Sequence, residues 1–268
     1  MLITFGIKLI PFLVLKAYFK YVLNRYRSVN RKHPFLKEFY TEVMKKSLNI
    51  NDTKIQELRN VLSQSKKQIS FNDLGAGSRK GTKSDKRLVS EILKNSSIQQ
   101  KHGKLLSRMV EYYGIRNSAE LGTSLGLGTA YLALGAQENQ IQTIEGCESV
   151  YELASHNFKD LEIEQQIKAY RANFDDVLED LFPLNTSLDL VYIDGNHTYE
   201  ATKRYFEFFL KRLNKNGFII FDDIYWSDGM EKAWNEIKES DQIGVSIDLF
   251  RMGIVSKRQF ETRINGAF

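Results

Sequence analysis

The spacing of apolar residues along the chain changes character once, near Ile115. Before that point apolar positions recur at helical intervals. Residues 34–48 (PFLKEFYTEVMKKSL) carry a helical stripe with Pro34 in the first turn, and residues 52–65 continue it with Asp52 as the expected N-cap. Two further helical patterns cover 85–94 and 97–113, the second stopped by Gly114. From Ile115 onward short apolar runs alternate with helical segments. SAELG, IQTIE, IKAYR, LDLVYID and GFIIFDD read as strands, and 128–134, 150–160, 175–181 and 199–213 as the helices between them. Such alternation builds a mostly parallel sheet with helices on both faces, so the expected class is α/β and Rossmann-like. A last helix over 228–240 leads into VSIDLFRMGIVSKR, whose two β-like runs are expected to close the sheet as an antiparallel hairpin.

Two stretches compete for the turn between a strand and a helix at which a nucleotide-like cofactor sits: FNDLGAGSRKG (71–81) and AELGTSLGLGT (119–129). The first is followed by the polar RKGTKSDKR, and no strand with a terminal acid comes about twenty residues later, as such a unit requires. The second has a strand before it, an apolar helix after it, and Glu145 at the end of the next strand. Gly122, Gly126 and Gly128 let the backbone approach a ligand where a side chain would collide. AELGTSLGLGT is therefore the expected cofactor turn. FNDLGAGSRKG is expected to be a basic lid or acceptor-binding loop, or a plain connection.

ELGTSLGLGT resembles the first motif of class I S-adenosylmethionine-dependent methyltransferases, a resemblance that extends from Asn117 to about Lys257. It implies S-adenosylmethionine (SAM) as cofactor, held by the opening acid Glu120, by Gly122, Ser124 and Gly126 of the turn, and by Glu145 on the ribose. RANFDDVL matches the family's adenine-contacting turn, which brings in Asn173 and Phe174; Asn173 stands where the family frequently has Asp. Asp194 completes the implied cofactor set. A nicotinamide dehydrogenase would show G-x-G-x-x-G, whereas this chain has G-x-x-x-G-x-G.

Strand ends supply the remaining chemistry. LDLVYID ends in Asp194 and GFIIFDD in Asp222 and Asp223. In a parallel sheet these open on the ligand-binding edge, and three converging carboxylates favour a hard divalent cation, Mg2+ first, with Mn2+ or Ca2+ as alternatives. The spacing resembles the metal-dependent O-methyltransferases of the catechol and caffeoyl-CoA type, with Asp222-Asp223 in place of their Asp-Asn pair; related sugar and antibiotic O-methyltransferases tolerate an acidic pair. The plainer role for Asp222 or Asp223 is to cap the next segment or face solvent. His197, three residues past Asp194, is the candidate general base, at about the place where catechol-type enzymes carry a lysine. Alternatively Asn196, His197 and Thr198 simply start a helix, with Thr198 as N-cap. His33, His102 and His156 do not stand next to a candidate metal ligand and are assigned no role. Tyr225 and Trp226 either wall an acceptor pocket or pack.

Composition narrows the partners. At 268 residues the chain has room for an α/β unit (115–268), a helical extension (34–114) and a basic N-terminal segment (1–33). One cysteine, Cys147, excludes an intramolecular disulfide and a cysteine-type metal site and fits a reducing, cytoplasmic setting. Much of the net charge of +5 lies in the first 33 residues, which contain no acid. No nucleic-acid partner is expected. Leu9, Phe12, Leu13, Lys16, Phe19, Lys20 and Leu23 recur at helical spacing, while Lys8, Pro11 and Lys16 interrupt any membrane span. The start of the chain also makes a poor secretory signal. The amphipathic helix is expected either to lie on the inner face of a membrane through residues 1–27 or to dock on its own domain or a second copy in a homodimer. The function these features imply is SAM-dependent, metal-assisted O-methylation of a small-molecule, sugar or lipid-like hydroxyl. The alternatives are a metal-independent N- or O-methyltransferase whose acids bind an amine, and a non-catalytic binding module on the same fold.

Overall fold

A computed structural model of the protein describes residues 18, 21, 22, 33–46, 50–71 and 86–268. The N-terminal part begins with α1 (Pro34–Glu38), which widens into a π-helical stretch, Phe39–Lys45. It continues through α2 (Thr53–Gln64), β1 (Gln68–Ser70), β2 (Lys86–Leu88), α3 (Val89–Ser96) and α4 (Gln100–Tyr113). The alternating part follows as β3 (Asn117–Leu121), α5 (Leu127–Gly135), β4 (Gln140–Glu145), α6 (Glu148–Asp160), β5 (Ile167–Arg171), α7 (Phe174–Leu181), β6 (Leu188–Ile193), α8 (Tyr199–Leu210) and β7 (Leu213–Phe221). After α9 (Asp228–Lys238) come β8 (Val245–Asp248), β9 (Gly253–Ser256) and β10 (Ile264–Ala267).

One sheet of eight strands runs in the order β10-β8-β9-β7-β6-β3-β4-β5. From β5 to β7 all neighbours are parallel. β9 runs antiparallel to both β7 and β8, the expected closing hairpin. β10 adds a parallel edge beside β8 that the sequence pattern did not announce. The chain moves outward from β3 to β5 and then returns to the other side of β3, which makes a switch point at β3 where ligands bind in open α/β sheets.

Alternation along the central strands splits the core in two. Leu190, Tyr192, Phe218 and Ile220 face a layer built from the N-terminal helices, including Leu36, Phe39, Leu58, Leu106 and Met109. Val191, Ile193, Ile219 and Phe221 face α7, α8 and α9 through Leu178, Phe209 and Trp234. The N-terminal helices thus complete the hydrophobic layer of the sheet. Burying such side chains is the main favourable term in folding, about 1.5–3 kcal/mol for each large one.

Several local expectations need correction. Asp52 precedes α2, but its side chain makes no cap hydrogen bond. Its carboxylate instead accepts from Tyr131 Oη at 2.6 Å, Gln56 Nε2 at 2.9 Å and Gln100 Nε2 at 3.1 Å, and pairs with Lys104 Nζ at 3.1 Å. A buried carboxylate gains more from these partners than from one backbone amide, so Asp52 joins α2, α4 and α5. The helix expected from 85 starts later, because Lys86–Leu88 forms β2. The helix expected to reach 213 ends at Leu210, and Leu213 opens β7. Thr198 does cap α8, accepting from the amide of Ala201 at 3.3 Å.

β1 and β2 are antiparallel, with Ser70 opposite Lys86. The glycine stretch after Phe71 therefore belongs to a connection between two hairpin strands. That is not the strand-to-helix handover a cofactor turn needs. Residues 72–85, on which the lid reading falls, lie outside the described residues. So does most of the basic N-terminal helix. Its Tyr21 is buried, and the rings of Tyr18 and Tyr21 pack on Phe250 with centroids 5.3 and 5.4 Å away. Among the described residues no helix is long and apolar enough to cross a membrane.

Candidate active site

Four parallel strands end in step at the switch point. Their ladder continues past the strand ends through Gly122 N to Ile144 O (3.0 Å), Asp194 N to Leu121 O (2.8 Å) and Asp222 N to Ile193 O (2.9 Å). Glu145, Gly122, Asp194 and Asp222 are thereby brought to one edge. Just beyond it the backbone turns through left-handed conformations at Gly122 (φ 97), Asn196 (φ 50) and Asp223 (φ 53). Asn and Asp tolerate that region better than other side chains. Gly122 has no alternative, because a Cβ there would stand 2.2 Å from the carbonyl oxygen of Asp194.

On the β3–β4 side the predicted cofactor residues assemble. Glu145 accepts from the amides of Ser124 and Cys147, each at 2.9 Å, which fixes its carboxylate beside the turn. Asn173 occupies the N-cap position of α7 without a side-chain cap bond. The ring of Phe174 lies so close over Gly195 that a Cβ at that glycine would meet it at 2.8 Å. A cleft of about 10 Å³ runs between the glycine turn and the end of α3, lined by Ser97, Glu120, Gly122, Ser124, Gly128 and Asp194 among others. That is room for a single water. Three polar atoms in this lining are buried without a hydrogen-bond partner: Ser97 Oγ, Glu120 Oε1 and Ser124 Oγ. Buried polar groups are nearly always satisfied, and three orphans at one cleft fit a polar ligand. Gly126 and Gly128 keep the turn narrow; side chains there would meet the Phe158 ring and Glu120 Oε1, each at 2.5 Å.

Glu120 is the most perturbed of these groups that lie on the cofactor side. Burial pushes its carboxyl up to about 7, against hydrogen bonds from Thr129 and Thr143 to Oε2, with the charge of Glu145 adding to the rise. The folded state thus holds a proton that the unfolded chain releases near the ordinary value of 4.5. Stability should fall as pH rises through that interval and level off above about 7. Glu120→Gln keeps an acceptor for the two threonines and cannot ionise. It should flatten this dependence and raise stability at pH 8 by a few kcal/mol at most, on the order of 3. Urea unfolding at pH 5 and pH 8 checks this, and an unchanged pH slope in the variant would refute it.

The acids expected to hold a metal are engaged otherwise. Arg251, from the loop before β9, sets its Nε 3.2 and 3.3 Å from the two carboxylate oxygens of Asp222 and 3.4 Å from Asp223 Oδ1. Its Nη2 donates to Asp222 Oδ2 at 3.3 Å. Asp222 is almost fully buried, neither solvent-facing nor a cap. Burial works against the charge of Arg251, but Asp222, Asp223 and Asp194 outweigh it and hold the guanidinium firmly protonated. Among the described residues no group of three or more His, Cys, Asp or Glu side chains is arranged to hold a metal ion.

Asp194 and His197 form a pair beside this cluster. His197 Nε2 lies 3.6 Å from Asp194 Oδ1, and Tyr192 Oη donates to Asp194 Oδ2 at 3.1 Å. Burial, followed by the negative charges of Asp222 and Asp223, raises the Asp194 pKa well above the usual carboxylate range. The His197 ring tilts over Trp226 at 6.4 Å, and Tyr225 stacks on Phe250 at 5.5 Å, so one of the two expected aromatics faces the candidate base and the other supports the Arg251 loop. Sequence reading missed Arg251 and gave no role to His102. Arg251 sits 29 residues from Asp222 and carries no local motif. His102, on α4, is buried with Nδ1 unpartnered; burial lowers its pKa to about 4, and the charge of Asp222 is the largest influence against that. Only the fold brings α4 to that edge.

Comparison with known proteins agrees with this fold. Residues 119–224 match the family model described as "Methyltransferase domain". A stretch of 87 residues is 36% identical to an uncharacterized protein of Acanthamoeba polyphaga mimivirus, covering 30% of this chain and 37% of that one, so the chain spans little more than a third of this curated relative. An O-methyltransferase from Bacillus cereus in complex with SAH superposes with TM-score 0.58 at 18% identity, over 82% of this chain and 99% of that one. The O-methyltransferase TomG from Streptomyces achromogenes, involved in tomaymycin synthesis and in complex with SAM, gives 0.58 at 15% identity over 81% and 95%. A putative caffeoyl-CoA O-methyltransferase from Staphylococcus aureus gives 0.54 at 16% over 62% and 84%. The protein has the Rossmann-like fold of class I SAM-dependent methyltransferases, with the O-methyltransferases among the proteins it resembles.

Proposed function

We propose that the protein is a SAM-dependent O-methyltransferase acting on a hydroxyl of a small-molecule, sugar or lipid-like acceptor. The observation that carries this reading is the set of orphaned polar atoms at the glycine turn, next to a histidine–carboxylate pair on the adjoining strand end. Glu120 Oε1 is suited to the amino group of the cofactor and the hydroxyls of Ser97 and Ser124 to its carboxylate. Glu145 is suited to the ribose, and Asn173 with Phe174 to the adenine. When bound, the cofactor supplies an electrophilic methyl group for direct displacement. The chain's own part is to align the acceptor oxygen and remove its proton. With Nε2 of His197 turned to Asp194, Nδ1 is left to take that proton. Trp226, beside His197, borders the acceptor side. No step here passes through a divalent cation, since Arg251 already engages Asp222 and Asp223.

Isothermal titration should show one SAM site and one SAH site per chain, competing with each other. No heat of binding for either would remove the reading. Labelled SAM with a panel of hydroxylated metabolites, sugars and lipid extracts then identifies the acceptor.

A further inference from the structure

The acid cluster at the ends of β6 and β7 has the composition of a divalent-metal site and the occupancy of something else. A hard cation needs carboxylate oxygens converging on one point at a little over 2 Å. Here the space between Asp222 and Asp223 is taken by the Nε of Arg251, within 3.4 Å of both. We propose that Arg251 is the resident cation of this site, a guanidinium that takes the place of a divalent metal and leaves the protein independent of one.

The arginine is built in as firmly as a metal ligand would be. Phe250, just before it, is held in a left-handed conformation (φ 66). Asp248 accepts from the Phe250 amide at 2.8 Å, from Tyr225 Oη at 2.6 Å and from Trp234 Nε1 at 3.4 Å. The backbone of Arg251 is tied on both sides, its amide to Leu249 O at 2.8 Å and its carbonyl to the Ile224 amide at 3.2 Å. The rings of Tyr21 and Tyr225 pack against the Phe250 ring, with centroids 5.4 and 5.5 Å away. A guanidinium cannot be deprotonated in a protein and offers a planar fork of donors that matches carboxylates. It delivers one positive charge permanently, where a metal delivers two at a concentration-dependent occupancy. Arg251 acts here as a positioning residue: it fixes Asp222 and Asp223, and through them the charge that His197 and Asp194 experience.

The test uses the full-length protein, Mn2+ and thermal unfolding, and does not depend on methyl transfer; SAM titration separately decides the function. Wild-type Tm should be indifferent to Mn2+ and to EDTA. Arg251→Ala leaves Asp222 buried without its cation, which is strongly unfavourable. That variant should melt lower and be raised by Mn2+ by about 5 °C or more, because an ion that binds only the folded state stabilises it. Asp222→Asn in the Arg251→Ala background should abolish the rise, and Arg251→Lys should not show it. The inference is overturned if the wild-type protein gains Tm with Mn2+ and loses that gain in Asp222→Asn. It is equally overturned if folded Arg251→Ala ignores Mn2+. Should Arg251→Ala not accumulate as folded protein, Arg251→Gln serves in its place beside the wild-type titration.

Discussion

Gly122→Ala should abolish measurable SAM binding and cost roughly 3 kcal/mol or more in stability, from left-handed strain and a backbone collision together. The alanine Cβ would stand 2.2 Å from the Asp194 carbonyl oxygen and 2.8 Å from its carbon, both of them backbone atoms that cannot swing away. Relief requires β3 and β6 to part at the edge where the turn is formed. Gly114→Ala is the informative control. That residue also has positive φ, as the stop of α4, but nothing lies within 4 Å of its would-be Cβ. It should cost only about 1–2 kcal/mol, the conformational part alone, and leave SAM affinity intact. Urea unfolding and calorimetry measure both variants. A Gly122→Ala protein of native stability that binds SAM as the parent does would mean that the cofactor turn lies elsewhere.

The second large effect concerns the base. With the acceptor in hand, His197→Ala should lower kcat by about 10² to 10⁴, the usual contribution of a positioned general base, and leave the SAM dissociation constant within a few-fold. A pH–rate profile distinguishes this from a packing defect. The limb that reports the imidazole should disappear in the variant, with the remaining rate rising with hydroxide concentration. Loss of a packing contact alone would scale the whole profile without changing its shape. Wild-type rate in His197→Ala would end the proposal for this residue and direct attention to His102.

The parts of the fold that could be read from the sequence were those decided by short-range pattern. β3, β4, β6 and β7 are buried runs bounded by turn residues, and the spacing from Gly122 to Glu145 follows from the length of one strand–helix–strand unit. β10 was missed because INGA is four residues with no alternation to set it apart, and its place depends on β8 offering an edge. β1 and β2 are mostly polar and owe their pairing to each other. The acids of the site were legible because strand ends of a parallel sheet share an edge. Their partner was not: Arg251 reaches Asp222 only after a helix and a strand have folded between them. The same is true of Asp52, whose position before α2 suggested a cap while its carboxylate serves Tyr131 on a distant helix.

The close passage of Gly122 beneath Asp194 also bears on how such a site can diversify by descent. Backbone is set against backbone there, so an insertion or a bulky residue on either strand end disturbs the cofactor turn and the base together. The opposite flank is joined through side chains, with Tyr225 stacked and Tyr21 tilted against Phe250, next to Arg251 in the chain. Replacing one ring by another on that flank changes side-chain packing without altering strand register. A change of ring is therefore absorbed along Tyr21, Tyr225 and Phe250 more readily than any side chain is at Gly122.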